Sequence, residues 1–188
     1  MISGHIIFLN GTSSSGKTSI AKELQECLQE PYMFLSLDAF FSMYPEKTID
    51  PQTKEGAEVF TRLVPGVIAA FHKTVAVLAD NGNNLIVDHV LQEEEWRQQC
   101  VDLLTHFNVT FVGVKCPLPV LLEREKQRGD RLTGTAEYQF DRVHKQCVYD
   151  VEVDTSVLSV EQCTQMILKT LADPPEESAF SKMEKQYE

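Results

Sequence analysis

The chain has 188 residues, a hydrophobic fraction of 43% and a net charge of −11 at pH 7. It is long enough for one compact domain with a sizeable core and short for two. The acidic balance would repel the phosphates of DNA or RNA, so no nucleic-acid partner is expected. No apolar run nears the roughly 20 residues that span a bilayer, so no membrane partner is expected either.

Met1 to His5 carry no Lys or Arg and no cleavage pattern, and the apolar run behind them is short, which points to the cytoplasm. Ile6 to Leu9 reads as a buried strand ending at Asn10-Gly11. From Thr18 a helix follows, with Ile20, Leu24, Cys27 and Leu28 on one face, until Pro31. Tyr32 to Leu37 reads as the second strand, ending at Asp38, and Pro45 to Glu58 as a long irregular insert. Pro65 suits the first turn of a helix. Val67, Ile68, Phe71, Val75 and Leu78 then recur at helical spacing until Asn81-Gly82.

Leu85 to Val87 is the third strand, ending at Asp88, and Glu93 to His106 an amphipathic helix. Val109 to Val114 is the fourth strand. Helices follow over Leu118 to Lys126 and Gly134 to Lys145, then a fifth strand over Tyr149 to Val153 and a last helix over Val160 to Leu171. The tail after Asp173 is polar, with too little apolar surface to offset its ordering entropy, and is expected to fray. The domain is thus expected over residues 1–172, with a flexible acidic tail over 173–188.

Five strands alternating with helices predict an α/β fold: an open parallel five-stranded sheet with helices on both faces. Continuous apolar strand runs fit strands buried on both sides. Ligands of such sheets bind beyond the carboxyl ends of the strands, where Gly11, Asp38, Asp88, Cys116 and Asp154 stand. The five cysteines include no Cys-x-x-Cys pair, so neither a disulfide framework nor a zinc site is expected, and Cys116 reads as a small buried apolar side chain.

Residues 11–18, Gly11-Thr12-Ser13-Ser14-Ser15-Gly16-Lys17-Thr18, fit the phosphate-loop pattern G-x-x-x-x-G-K-[ST] between a strand and a helix, as that pattern requires. Gly11 would leave the strand in a conformation costly for other residues. Gly16 lets the backbone pass close to a phosphate, while the amides of residues 13–18 and the positive helix end hold the anion. Lys17 reaches the β- and γ-phosphates of ATP, and Thr18 offers a hydroxyl to Mg²⁺. Asp88, after a buried apolar strand, reads as the second Mg²⁺ anchor.

Asp38 either orients an acceptor hydroxyl and takes its proton or caps the segment Ala39-Phe40-Phe41; spacing alone weighs the two equally. Arg124, Arg128 and Arg131 make a basic, lid-like segment over residues 124–134. Arg128 or Arg131 is expected on phosphate, and Arg124 in a structural or adenine-facing role. His5, His72, His89, His106 and His144 carry no signal singly. Phe40, Phe41, Tyr44 and Trp96 read as core more readily than as walls of a pocket.

The run Ile7 to Thr18, the Asp38 and Asp88 strands, Arg128-Gly129-Asp130-Arg131 and the stretch from His144 through Tyr149-Asp150-Val151-Glu152-Val153-Asp154-Thr155 together resemble the chloramphenicol phosphotransferases, over about residues 2–170. The resemblance implies the fold of small P-loop nucleotide kinases and transfer of the γ-phosphate of ATP to a primary hydroxyl of chloramphenicol. It matches Asp38 to the general base, residues 11–18 to the ATP loop, and Arg128 and Arg131 to lid arginines. Thr12 stands where the family often has a second glycine, and Thr18 replaces a serine. Asp88-His89 stands where two acids are common, and the insert from Met43 to Glu58 departs most.

The leading expectation is an ATP- and Mg²⁺-dependent phosphotransferase acting on an alcohol group of a small molecule. A kinase of nucleosides, nucleotides or nucleic-acid ends shares the same loop. So does a nucleotide-dependent switch with no acceptor, although the guanine-reading Asn-Lys-x-Asp sequence is absent.

Overall fold

The computed structural model describes residues 3–128 and 134–187. Five strands, β1 (Ile6–Asn10), β2 (Tyr32–Ser36), β3 (Asn84–His89), β4 (Val109–Lys115) and β5 (Val151–Asp154), form one sheet in the order β2-β3-β1-β4-β5. Every pairing is parallel. Each residue of β1 is buried, because this central strand is covered on both faces. The chain passes from β3 on one side of β1 to β4 on the other, so the order reverses at β1. That reversal opens a crevice at the carboxyl end of β1.

Alternate strand residues feed two apolar layers. Ile7 and Leu9 pack with Ile20, Leu24, Cys163 and Ile167 under α1 (Lys17–Cys27) and α8 (Val160–Ala172). Ile6 and Phe8 pack with Phe71, Val75, Cys100 and Leu104 under α4 (Lys54–Asp80) and α5 (Glu94–Leu104). Two shorter helices, α2 (Leu37–Phe41) and α3 (Glu46–Ile49), lie between β2 and α4, while α6 (Leu118–Arg128) and α7 (Thr135–Val143) sit at the rim with a small core of their own, Cys116, Leu121 and Ala136.

Three expectations change. The insert is partly helical, and Pro65 lies inside α4 rather than in its first turn. Thr53 begins that helix, its Oγ1 accepting the Gly56 N–H at 3.1 Å. Pro65 is tolerated because Thr61, whose carbonyl loses its helical donor, and Gly66 are both solvent-exposed. The 27-residue α4 is apolar enough to cross a bilayer by length and composition, yet its Val67, Ile68, Phe71, Val75 and Ala79 are buried against the sheet.

The tail is the third. It forms α9 (Ala179–Tyr187), with Ala179, Phe180 and Met183 buried. The Phe180 ring meets Phe111 edge-on at 5.1 Å and lies 6.1 Å from Phe8. The Asp150 carboxylate joins tail to sheet, accepting the Ala179 N–H and the Phe111 N–H, each at 2.7 Å. Burial pushes the Asp150 carboxyl up, and those two bonds oppose the shift. Three well-placed apolar side chains order a segment whose average composition is polar.

Candidate active site

The sheet register sets the site. Leu9 and Ser36 both lie beside Asp88, so the phosphate loop after β1 and the start of α2 flank one carboxylate. Thr18 Oγ1 donates to Asp88 Oδ2 at 2.7 Å. Lys17, only 6% exposed, donates to the carbonyls of Gly11 at 2.9 Å and Thr12 at 3.0 Å, and its Nζ is 3.6 Å from Asp88 Oδ1. The ammonium thus arches over its own loop and faces the carboxylate.

The glycines act differently from the expectation. Gly11 does not take a left-handed backbone; a Cβ there would stand 2.5 Å from the Val114 carbonyl, so close approach to β4 requires it. The left-handed positions are Ser14, φ 64°, and Gly16, φ 96°. Those two turns bring residues 13–16 round to the head of α1.

The loop fits a polyphosphate on direct structural grounds. Among the described residues no side chain caps α1, and the first turn of that helix holds no acid to oppose an anion at its positive end. The hydroxyls of Ser13, Ser14 and Ser15 are buried with no hydrogen-bond partner. Buried polar groups in that state call for a ligand or ion. Thr18 and Asp88 together offer the two oxygen donors expected beside a Mg²⁺ ion.

A cleft of about 920 Å³ opens above this floor. Ser13, Ser14, Gly16, Lys17, Thr18, Asp38, Asp88, Arg124 and Arg128 all line it. Arg131 lies outside the described residues. Ser36 Oγ, not Asp38, caps α2 by accepting the Ala39 N–H at 3.2 Å. The capping role is therefore taken, and Asp38 is exposed in the first turn on the cleft wall. Arg124 resolves into a strut: its guanidinium donates to Thr155 Oγ1 at 2.9 Å and the Thr155 carbonyl at 2.7 Å. Thr155 Oγ1 in turn donates to the Ser15 carbonyl at 2.8 Å.

Sequence spacing missed Thr155 and Gln139, which lie 140 and 126 positions from the loop residues they bind. Gln139 Oε1 on α7 accepts the Ser13 N–H at 2.8 Å. Asn10, next to the loop, donates to the Val143 carbonyl and to the Tyr149 hydroxyl at 2.9 and 2.8 Å. The helix after the lid segment is thereby tied to the phosphate loop at two points. Phe41 and Trp96, read from sequence as core, stand on the cleft wall, whereas Phe40 packs on Phe71. Cys116 is buried, as expected.

Charge divides the cleft. Its described lining residues from β2, α2, α4, the β3–α5 turn and α5 include Leu37, Phe41, Phe60, Val64, Val90 and Trp96, with no Lys or Arg among them. His89 forms part of this wall, fully buried. Burial holds its pKa well below the usual histidine value, with the neighbouring His72 and Lys17 adding to the shift. Burial likewise brings His72 down to about 4. Both rings are neutral near pH 7.

A model of the chloramphenicol phosphotransferase-like proteins matches residues 4–172. A protein of Mycobacterium tuberculosis strain H37Rv, named "Putative O-phosphotransferase", is 30% identical over an alignment covering 100% of this chain and 91% of that one. Among solved structures, the APS kinase of M. tuberculosis in complex with AMPPNP and APS superposes with a TM-score of 0.67 at 16% identity, over 92% of this chain and 100% of the other. Shikimate kinase of Acinetobacter baumannii in complex with shikimate gives 0.64 at 16%, over 94% and 97%. At such identities these two likenesses establish the P-loop kinase fold.

Proposed function

The chain belongs to the chloramphenicol phosphotransferase-like family, and from that membership we propose that it transfers the γ-phosphate of ATP to a hydroxyl of a small uncharged alcohol with an apolar body. Chloramphenicol is the first acceptor to test. The observation that carries this reading is the division of the cleft. A phosphate loop with three unpartnered buried hydroxyls lies at one end, a wall with no Lys or Arg among its described residues at the other, and the Asp38 carboxylate lines the same space. An anionic acceptor would call for a guanidinium or ammonium on the second wall.

The loop amides and Lys17 hold the β- and γ-phosphates. Thr18 and Asp88 would hold Mg²⁺, which offsets the charge on those phosphates when bound. Asp38 accepts a hydrogen bond from the acceptor hydroxyl, aligns its oxygen and takes the proton as the new O–P bond forms. Arg128 stabilises charge on the transferring group, and Arg131 shares that role by resemblance. Arg124 keeps the loop in shape through Thr155. Reliance on ATP and five unbridged cysteines support a cytoplasmic setting, and the net charge of −11 argues against a polynucleotide acceptor.

The test is ADP release across a panel of acceptors, with mass detection of the product: chloramphenicol, neutral aryl alcohols, nucleosides and hydroxy acids. Neutral alcohols should react, and acids should not. Asp38→Asn should lower kcat by about 10²-fold while ATP affinity stays within about twofold. Full turnover in that variant would remove Asp38 from the reaction. ATP binding with no phosphorylated product from any acceptor would overturn the phosphotransferase reading itself.

A further inference from the structure

Behind the apolar wall lies a directed chain of hydrogen bonds. His89 Nδ1 accepts the Val90 N–H at 2.8 Å. A ring that accepts at Nδ1 bears no proton there, so its proton is on Nε2. That Nε2 lies 2.7 Å from His72 Nε2, which must therefore accept. His72 then carries its proton on Nδ1 and donates it to Gln99 Oε1, 2.6 Å away. One backbone amide thus dictates both tautomers and the orientation of the glutamine.

This relay joins three elements, β3, α4 and α5, and ends at the turn that lines the cleft. The His89 ring is stacked on Trp96, centroids 6.3 Å apart at 17°, and meets Phe71 edge-on at 5.3 Å. From the other side, Asn10 Oδ1 accepts the Leu91 N–H at 2.8 Å. Val90 and Leu91 are therefore held through their own successive amides, one donating to the His89 ring and the other to Asn10, the residue before the phosphate loop. Val90, Gln92 and Trp96 face the cleft.

We propose that His72, although absent from the cleft lining, is a positioning residue for the acceptor: through His89 it holds the Val90–Gln92 turn and Trp96 in place, while the phosphate loop stays independent of it. This rests on the phosphotransferase reading for its kinetic consequence and on hydrogen-bond geometry for its structural one.

Two variants separate polarity from packing. His72→Leu removes the acceptor for the His89 Nε2–H. His72→Gln restores it, since its Oε1 can accept from His89 while its amide donates to Gln99. The first measurement is the ¹⁵N spectrum of histidine-labelled protein together with the backbone amide spectrum. Wild-type His89 should show a protonated Nε2 and a bare Nδ1. His72→Leu should move the Val90, Leu91 and Gln92 amides and leave those of residues 13–18 in place, and His72→Gln should keep both sets near wild type. The second measurement is kinetic. With chloramphenicol, or the neutral alcohol of the panel that reacts best, His72→Leu should raise acceptor KM about tenfold, the scale of one buried donor left unpaired. ATP affinity should stay within about twofold, and His72→Gln should recover the KM.

Any of three results overturns the proposal: a proton on His89 Nδ1 in the wild type, equal effects of the two variants, or loss of ATP affinity in step with acceptor KM. Failure of the phosphotransferase reading would look different. No acceptor would be phosphorylated, and the spectra would still sustain or refute the relay.

Discussion

Replacing Phe180 by Ala asks whether the last helix belongs to the core. The side chain is 1% exposed and sits against Phe111 and Phe8. Truncating a fully buried Phe removes its transfer energy and leaves a cavity that neighbours fill only in part, a cost of about 3–5 kcal/mol. For a domain near 190 residues, each kcal/mol lowers Tm by roughly 2–4 °C, so the variant should melt about 6–20 °C lower. Urea unfolding followed by circular dichroism should show a lower midpoint with an unchanged slope. No residue of α9 lines the cleft, so nucleotide affinity measured on the folded variant should match the wild type. A frayed tail would leave Phe180 in solvent, and the substitution would then change stability by no more than about 0.5 kcal/mol. A loss under about 1 kcal/mol would refute the packing of α9.

Pro65→Ala should stabilise the protein by about 1–2 kcal/mol, because alanine restores the bond to the Thr61 carbonyl at a small cost in unfolded-state entropy. A neutral or negative change in urea midpoint would put Pro65 back at the start of a helix. His144 gives a pH dependence. Burial, with the charges of Lys115 and Lys17, lowers its pKa to about 3, against 6.5 in the unfolded chain. Between those values the unfolded chain binds the extra proton, so this contribution is complete above pH 6.5 and declines as pH falls toward 3. At pH 5 the deficit is about 2 kcal/mol, and His144→Gln should lose about that much less stability than wild type between pH 7 and pH 5. Equal losses of stability in wild type and His144→Gln between the two pH values would show that His144 titrates normally.

Much of the site was legible in the chain because its signals are local. The spacing of Gly11, Gly16, Lys17 and Thr18 carries the phosphate loop within eight consecutive residues. The apolar runs ending at Asn10 and Asp88 announced strands whose carboxyl ends share one rim. The requirement for Gly11 is not legible locally, because a close approach to the Val114 carbonyl depends on where β4 lies, not on the neighbours of Gly11 in sequence. Pro65 and the tail depart from local expectation for a related reason. A helix preference and an average composition describe a segment alone, whereas burial of Phe71 and Phe180 by distant strands outweighs both.

The order of residues by itself determined the alternation of strands and helices, the anion-binding turn at the head of α1 and the set of acids available to the chemistry. Only the folded chain decided which of those acids meet. Sheet pairing set Asp88 beside Ser36 and Leu9, Ser36 took the cap that would have occupied Asp38, and residues more than a hundred positions away, Gln139 and Thr155, closed on the loop. The physical reason is range. Backbone propensity and capping act over a few residues, while register, close approach and the direction of a buried hydrogen-bond chain such as Val90–His89–His72–Gln99 exist only once separate elements are packed together.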